Sequence, residues 1–530
     1  MEFRKVVLLL AVMFGLCWIN YGMTLKNDFL MDDTNYIVNN PARFDMEYLQ
    51  LSFLGIEGKL TAKNHAYFRP VYHVVMSSMY AVFGMNPVGY HAVNICVFFL
   101  AGITMYFLLL YLFKDPSLAG CAALIFCVHP IQGALVNYAN TTAVILITIL
   151  LNLSFLNIIK AVREERWTAW RLTVAAVLFL FALFCHEIAV VFPFLLVGLL
   201  FFVLRLSLLR IVLYTLPSVV SLLIYLYLRG LYVNKIFTLS DTFTFFQIGF
   251  GDYVAAFAQL MVWYLSKLVM PTGIVFMWEV PLIREAGHVI FWGVVMVLLV
   301  AGVIGLLYMW RDDEPCFLGM LWMVMSMVPV VLACCARLNY GIIFEPHWVP
   351  FAHIGFFLLV ARLLTGLNDN MSRYLVGMVI TIYLIFLLVH SWHYNWTWQN
   401  PKRHLIYWLR ETPYAYLPNF WLASEYLKEG DLDNARVYYQ RILERKHVDA
   451  DTYVNLGVIE HHSGNWDAAM RYYHQAIKRN PRYANAYNNI GVIYRDRGET
   501  DKARRYFQKA LEIFAYHPDA RRNLEEMAPK

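Results

Sequence analysis

Runs of about twenty apolar residues recur through the first three quarters of this chain. Each is long enough, at 1.5 Å rise per residue, to cross the hydrocarbon core of a bilayer as a helix. They lie near residues 6–25, 90–113, 117–136, 141–159, 172–190, 190–204, 211–228, 253–272, 288–310, 316–334, 348–365 and 373–391. Backbone polar groups in lipid must be satisfied within the segment, so a chain with this pattern folds as a bundle of helices. Composition agrees, because 60% of residues are hydrophobic and 15% charged, against about 25% charged in ordinary soluble domains. A soluble multi-domain protein and a disordered chain are both excluded. The charge is unevenly spread, with about 38 of the 138 residues from His393 onward charged and about 42 of the 392 before it. Two solvents are implied, lipid first and water after.

The net charge of +6 is small and dispersed, which argues against a nucleic-acid partner. The eight cysteines all fall in or beside apolar runs with no metal-ligand spacing, so buried thiols are expected. Arg4 and Lys5 precede the first run, and Lys160, Arg163, Arg166, Arg171, Arg205 and Arg210 cluster in two later turns. By the positive-inside bias these mark the cytoplasmic face. The loop after the first span and the corners at 129–142 and 184–189 then lie on the opposite face. About twelve spans are expected, with parity open because 71–88 is also apolar and 253–272 could be re-entrant.

The tail is periodic. Ala435, Ala469 and Ala503 recur at a 34-residue interval, as do Gly430, Gly464 and Gly498, and Tyr439, Tyr473 and Phe507. Gly457 and Gly491 follow the same interval, with Ala423 at the equivalent place. Small residues where two helices cross, separated by aromatics, are the tetratricopeptide signature. Three repeats near 417–450, 451–484 and 485–518 suffice for a stable solenoid. The fold class expected is therefore all-α: a polytopic membrane domain over 1–392, with a first extracytoplasmic loop over 26–89, a linker over 393–416, and the repeats over 417–520.

Polar residues at the ends of the apolar runs gather on one expected face. Asp32 and Asp33 stand just beyond the first span, and Arg69 follows in YFRPVYH. His91 and Asn94 lie in GYHAVN, His129 in HPIQ, His186 and Glu187 in CHEIAVVFP, and Glu345 and His347 in FEPHWVP. Ionisable groups at span ends are costly unless they line a hydrated cavity, so their accumulation points to a site. Each also has a plainer reading. Arg69 could extend to lipid head groups, His129 could cap a helix, and His186-Glu187 could be the polar corner of a hairpin.

The order FxxDD, RP, GYHxxN, HPxQ, HExAxxxP, FExxxxP and terminal repeats resembles the GT-C membrane glycosyltransferases, above all the transmembrane-and-tetratricopeptide O-mannosyltransferases and their bacterial relatives. That resemblance implies a polyprenyl-phosphate sugar donor and transfer outside the cytoplasm. It implies Asp32 as catalytic aspartate with Asp33 its acidic neighbour, and a helix along the membrane surface at 71–88. Ala134 and Thr142 stand where such proteins usually carry Glu and Arg, His186 replaces a usual Lys, and Pro346-His347 interrupts the run after Glu345.

The chemistry suits these residue types. A prenyl phosphate is a good leaving group, so the reaction needs chiefly a carboxylate to take the proton from an acceptor hydroxyl, here Asp32. A single displacement inverts configuration. Arg69 suits the phosphate, and His91, His129, His186, Glu187, Glu345 and His347 are candidate substrate-binding residues. No metal or other cofactor is expected. In the repeats, Asn455 and Asn489 stand two residues before the packing glycines, where an amide could hold an extended acceptor peptide. Two alternatives remain: a catalytically silent membrane-anchored scaffold, and transfer to a lipid or cell-wall glycan. Short loops and few repeats favour a bacterial cytoplasmic membrane, with the endoplasmic reticulum as the alternative.

Overall fold

The computed structural model describes residues 3–31, 33, 37, 68–165, 167–232, 248–335, 341–367, 372–445, 448–514 and 517–527. Asp32 lies outside them. The chain divides into two compact units, Met1–Asn400 and Pro401–Lys530.

In the first unit helix α1 spans Phe3–Tyr21, α2 Pro70–Phe83, α3 Pro87–Phe113 and α4 Pro116–Val128. After them come α5 over Gly133–Asn137, α6 over Thr142–Glu164, α7 over Thr168–Cys185, α8 over Phe192–Gly198 and α9 over Leu208–Tyr232. Four long helices complete it: α10 Phe250–Val269, α11 Ala286–Met309, α12 Glu314–Cys335 and α13 Pro350–Gly366, before the last helix, α14, Arg373–Trp398. Among the described residues seven helices are long and apolar enough to cross a membrane, or eight if the bent pair Pro116–Val128 and Pro130–Asn137 is one span. The chain is a multi-pass membrane protein.

Several of the expected runs are broken or short, because a hydropathy window joins what polar corners divide. The 117–136 run is bent by 54° at His129-Pro130. The 190–204 run belongs to a segment, Glu187–Val203, that is too short. The 348–365 run is the 17-residue α13, buried along most of its length and therefore a core helix. Gly319 and Gly355 bring α12 and α13 together so closely that a Cβ on Gly355 would lie 2.5 Å from the Gly319 carbonyl oxygen, the small-residue contact expected between helices in lipid. The 14-residue α2 is likewise shorter than a span. A two-stranded antiparallel sheet pairs β1, Trp278–Val280, with β2, Ile342–Phe344, and holds the segment leading to Glu345.

The last apolar helix continues past His393 to Trp398, and Pro401–Glu411 forms another helix, α15, so the 393–416 stretch is mostly helical. The polar residues that suggested a linker are turned inward: Asn395 and Thr397 are buried, and each is hydrogen-bonded.

The second unit is an α-solenoid. Helix pairs α16/α17 (Tyr416–Lys428, Leu432–Leu443), α18/α19 (Ala450–His462, Trp466–Arg479) and α20/α21 (Ala484–Asp496, Thr500–Ile513) precede a capping helix α22, Pro518–Glu526. Each pair turns at Gly430, Gly464 or Gly498, whose φ of 78–80° is left-handed and suits glycine. Gly457 and Gly491 leave room for rings, since an added Cβ would lie 2.4 Å from Tyr473 and 2.7 Å from Phe507. Ala435, Ala469 and Ala503 are fully buried, as the 34-residue interval requires. Cys17, Cys121, Cys127, Cys185 and Cys316 are buried, and Cys96 is exposed.

Candidate active site

Arg69 is the first residue of a cluster built from helix ends. It precedes α2, and its guanidinium grips Glu187 with both prongs, Nε and Nη2 each donating to a carboxylate oxygen at 2.8 Å. Fork-on-fork geometry of this kind is the strong form of a charge-assisted pair. Glu187 begins a 3-10 turn, Glu187–Val191, that follows α7, and its side chain is 31% exposed. Burial works to raise its pKa, but the Arg69 charge and hydrogen bonds outweigh it and hold the carboxyl well below the usual carboxylate range. His186 accepts the Ile188 amide on Nδ1 at 3.2 Å, which caps that turn, and the same nitrogen lies 3.7 Å from Glu187. Burial first, then Arg69, lowers His186 to about 3, so its ring is neutral. Near it, Glu345 and His347 pair at 3.0 Å, both buried. His347 stacks on Phe276 with ring centres 4.8 Å apart and lies within electrostatic reach of His186.

Asp33 is placed from the other direction. It is 1% exposed, and its Oδ2 accepts the Ala139 amide at 3.3 Å. The first loop is thereby fixed to the corner after HPIQ. That corner meets the Arg69 cluster twice. Tyr138 packs on Phe276 at 5.0 Å, and Tyr72, three residues after Arg69, donates its hydroxyl to Asn140. The contacts form an open ring: Asp33, Phe276 with His347, and Tyr72 are joined at the 138–140 corner, and Arg69, Glu187 and His186 form a cluster of their own, with Arg69 just before the helix that carries Tyr72.

Two predicted residues stay outside this ring. His129 accepts the Ile131 amide on Nδ1, and its Nε2 is 3.0 Å from the Leu268 carbonyl, so both ring nitrogens serve the bend at Pro130. His91 is fully buried against the backbone of Asn27 and Val136, and it supports the corner from behind. Among the described residues no three His, Cys, Asp or Glu side chains converge as metal ligands would.

Sequence reasoning missed what holds the corner. Asn20 donates to the Cys127 carbonyl at 3.3 Å, and Asn395 donates to the Asn20 carbonyl at 2.9 Å. Asn137 donates to Asn395 at 2.6 Å, and Asn27 donates to Asn137 at 3.0 Å. These four buried amides tie α1, α5 and α14 together beneath the site. Their only signal in sequence is an amide inside an apolar run. Arg229 was also missed: its Nη1 donates to the Tyr225 hydroxyl at 3.3 Å on α9.

In the solenoid, Asn455 donates to the buried Tyr439 hydroxyl at 2.8 Å. Asn489, one repeat on, accepts from the Asn488 amide at 3.2 Å. The Asn455 amide is therefore engaged with the core ring of the preceding repeat. Asn523 continues the 34-residue interval, but the ring there is Phe507, and Asn523 donates instead to Asn488 at 3.0 Å. Asn489 also lines a groove of about 580 Å³ with His461, His462, Trp466 and Asp496.

The tetratricopeptide-repeat family models match residues 422–473 and 448–515. A human protein named protein O-mannosyl-transferase TMTC1 is 33% identical over 153 residues, which is 28% of this chain and 17% of that protein. A Caenorhabditis elegans protein O-mannosyl-transferase is 30% identical over 146 residues, 26% of this chain and 21% of that one. The matches thus span about a fifth or less of these relatives' length. A solved structure of the Archaeoglobus fulgidus oligosaccharyltransferase AglB, with an inhibitory peptide and a dolichol-phosphate, aligns at a TM-score of 0.42 and 13% identity over 74% of this chain and 56% of that one. That likeness is too loose to transfer a residue or an activity. The family likeness read from the motif order finds named counterparts in these O-mannosyl-transferases, and the C-terminal unit is a tetratricopeptide-repeat solenoid.

Proposed function

We propose that this chain is an inverting glycosyltransferase that moves a sugar from a polyprenyl-phosphate donor to a hydroxyl of a protein acceptor, on the face opposite its basic turns. Asp32 takes the proton from the acceptor hydroxyl, whose oxygen attacks the anomeric carbon. The bond from that carbon to the phosphate oxygen breaks, and polyprenyl phosphate leaves. Arg69 offsets the charge gathering on the departing phosphate. Glu187 orients that guanidinium, and His186, neutral and capping its turn, sets Glu187. Asp33 holds the first loop against the corner. The repeats serve as the acceptor-binding unit.

The observation that carries this reading is the set of polar and aromatic contacts made by the 138–140 corner and the Arg69–Glu187 fork. It brings cation, carboxylates and imidazoles from sequence positions 33 to 347 to one place in a chain poor in charge. The purified chain, given a polyprenyl-phosphate sugar and a serine- and threonine-containing peptide, is expected to glycosylate the peptide. Asp32→Asn should keep expression and thermal midpoint but abolish transfer. Transfer at the wild-type rate by this variant would remove Asp32 from the role of base.

A further inference from the structure

We infer that Arg229, held by the Tyr225 hydroxyl at the end of α9, is a second cation for the phosphate of the lipid-linked donor, acting beside Arg69 at the Glu187 corner. This deepens the proposed function and rests on it.

Tyr225 is the point where three elements meet. Its ring lies 6.3 Å from Phe68, the residue before Arg69, and 6.2 Å from Phe184, two residues before His186. Phe68 and Phe184 are themselves 5.9 Å apart, edge to face. This aromatic triad forms a floor that fixes the backbones carrying Arg69 and His186-Glu187 relative to α9. Tyr225 is 2% exposed, so its hydroxyl has a defined place, and Arg229 donates to it. The Arg229 guanidinium therefore ends at the same corner as Arg69. The electrostatics agree, because Arg69 and Arg229 both act on His186, and Glu187, Arg229 and Arg69 all act on Tyr225.

The position of Arg229 along α9 is also informative. The helix starts beside the basic turn containing Arg205 and Arg210, and 25 residues separate its ends by about 37 Å. Arg229 is thus a cation at the end away from the basic face, against the usual bias. Such a group either extends to lipid head groups or serves a site, and its seat on the aromatic floor favours the site. The donor's phosphate, a diester until the sugar leaves, would share the Arg69 fork with Glu187 and take a second, separately anchored fork from Arg229.

The test uses the full-length chain with donor saturation curves at fixed acceptor, and direct binding of dolichyl phosphate with inorganic phosphate as a second probe. Arg229→Gln should raise the donor concentration at half-saturation about tenfold or more, the usual worth of a charged hydrogen bond. Acceptor half-saturation and thermal midpoint should not move. Arg229→Lys, which keeps charge but loses the fork, should lie between, and it decides the question should Arg229→Gln fail to fold. Tyr225→Phe, which keeps the ring but frees Arg229, should raise half-saturation about two- to fivefold. Dolichyl phosphate should compete with donor in the wild type far better than inorganic phosphate, and lose that advantage in Arg229→Gln. Donor curves that overlay the wild type for Arg229→Lys and Arg229→Gln would overturn the inference and leave the proposed function standing, with Arg229 a head-group contact. A wild-type chain that neither binds dolichyl phosphate nor transfers sugar would overturn both.

Discussion

The two units are held together by opposite means. In the solenoid a contact is repeated: each left-handed glycine turn, each buried alanine and each glycine that admits a ring recurs 34 residues on. In the membrane unit every important polar contact occurs once and joins distant sequence, as Arg69 joins Glu187 and Asn20 joins Asn395. Repetition spreads stability over equivalent interfaces. A singular contact fixes one place in the fold, and that is where chemistry can be put.

The largest effect that would separate the two is expected in the solenoid. Gly457→Val puts atoms into the Tyr473 ring and should cost about 2–3 kcal/mol, read as earlier proteolysis of the tail while the membrane unit keeps its thermal midpoint. Loss of both together would show that the units do not melt separately. Next comes Asn395→Leu, which strands buried amides on Asn20 and Asn137. Interhelical hydrogen bonds in membranes are worth about 0.6–1.7 kcal/mol, so a loss of about 1–2 kcal/mol is expected in the membrane unit alone; an unchanged midpoint would contradict the role given to the amides.

A smaller difference should appear with pH. His186 is lowered from an ordinary 6.5 to about 3, so the unfolded chain binds its proton first. Stability from the neutral ring is full above about pH 6.5 and falls as pH drops toward 3. Glu187 is also depressed, so its contribution is lost only below the ordinary carboxylate value of 4.5. Between those values His186 contributes and Glu187 does not, so His186→Asn should make the decline of the membrane unit's midpoint from pH 6.5 to 4.5 shallower. An identical slope in the variant would remove His186 from that account. Smallest is Tyr439→Phe, which copies the third repeat's Phe507, takes the hydroxyl from Asn455 and Ser424, and should cost about 0.5–1 kcal/mol; no change would mean that Asn455 gains nothing from the phenol.

The same contrast explains what could be read from sequence. The repeats were legible to the residue, because Gly430, Gly464 and Gly498 punctuate each pair of helices and a period needs no knowledge of partners. The site was legible as a set of span-end polar residues, but not as a network. Nothing in HPIQ says that His129 keeps both nitrogens for the Pro130 bend, and nothing in YLYLRG says that Arg229 shares a floor with Arg69. Hydropathy locates the apolar runs but not their breaks, for a related reason. Hydropathy averages over a corner such as His129-Pro130, and it ends a helix at His393, where Asn395 is in fact satisfied inside the bundle. Nor does NLG say that the Asn455 amide donates to Tyr439.

The central claim is that the singular contacts of the membrane unit form a phosphate-handling site. Its most direct test is the donor saturation curve of Arg69→Gln beside that of the wild type, at fixed acceptor peptide and with the thermal midpoint recorded. The account expects donor half-saturation to rise about tenfold or more with acceptor half-saturation unchanged. A folded Arg69→Gln variant whose donor curve overlays the wild type would contradict it.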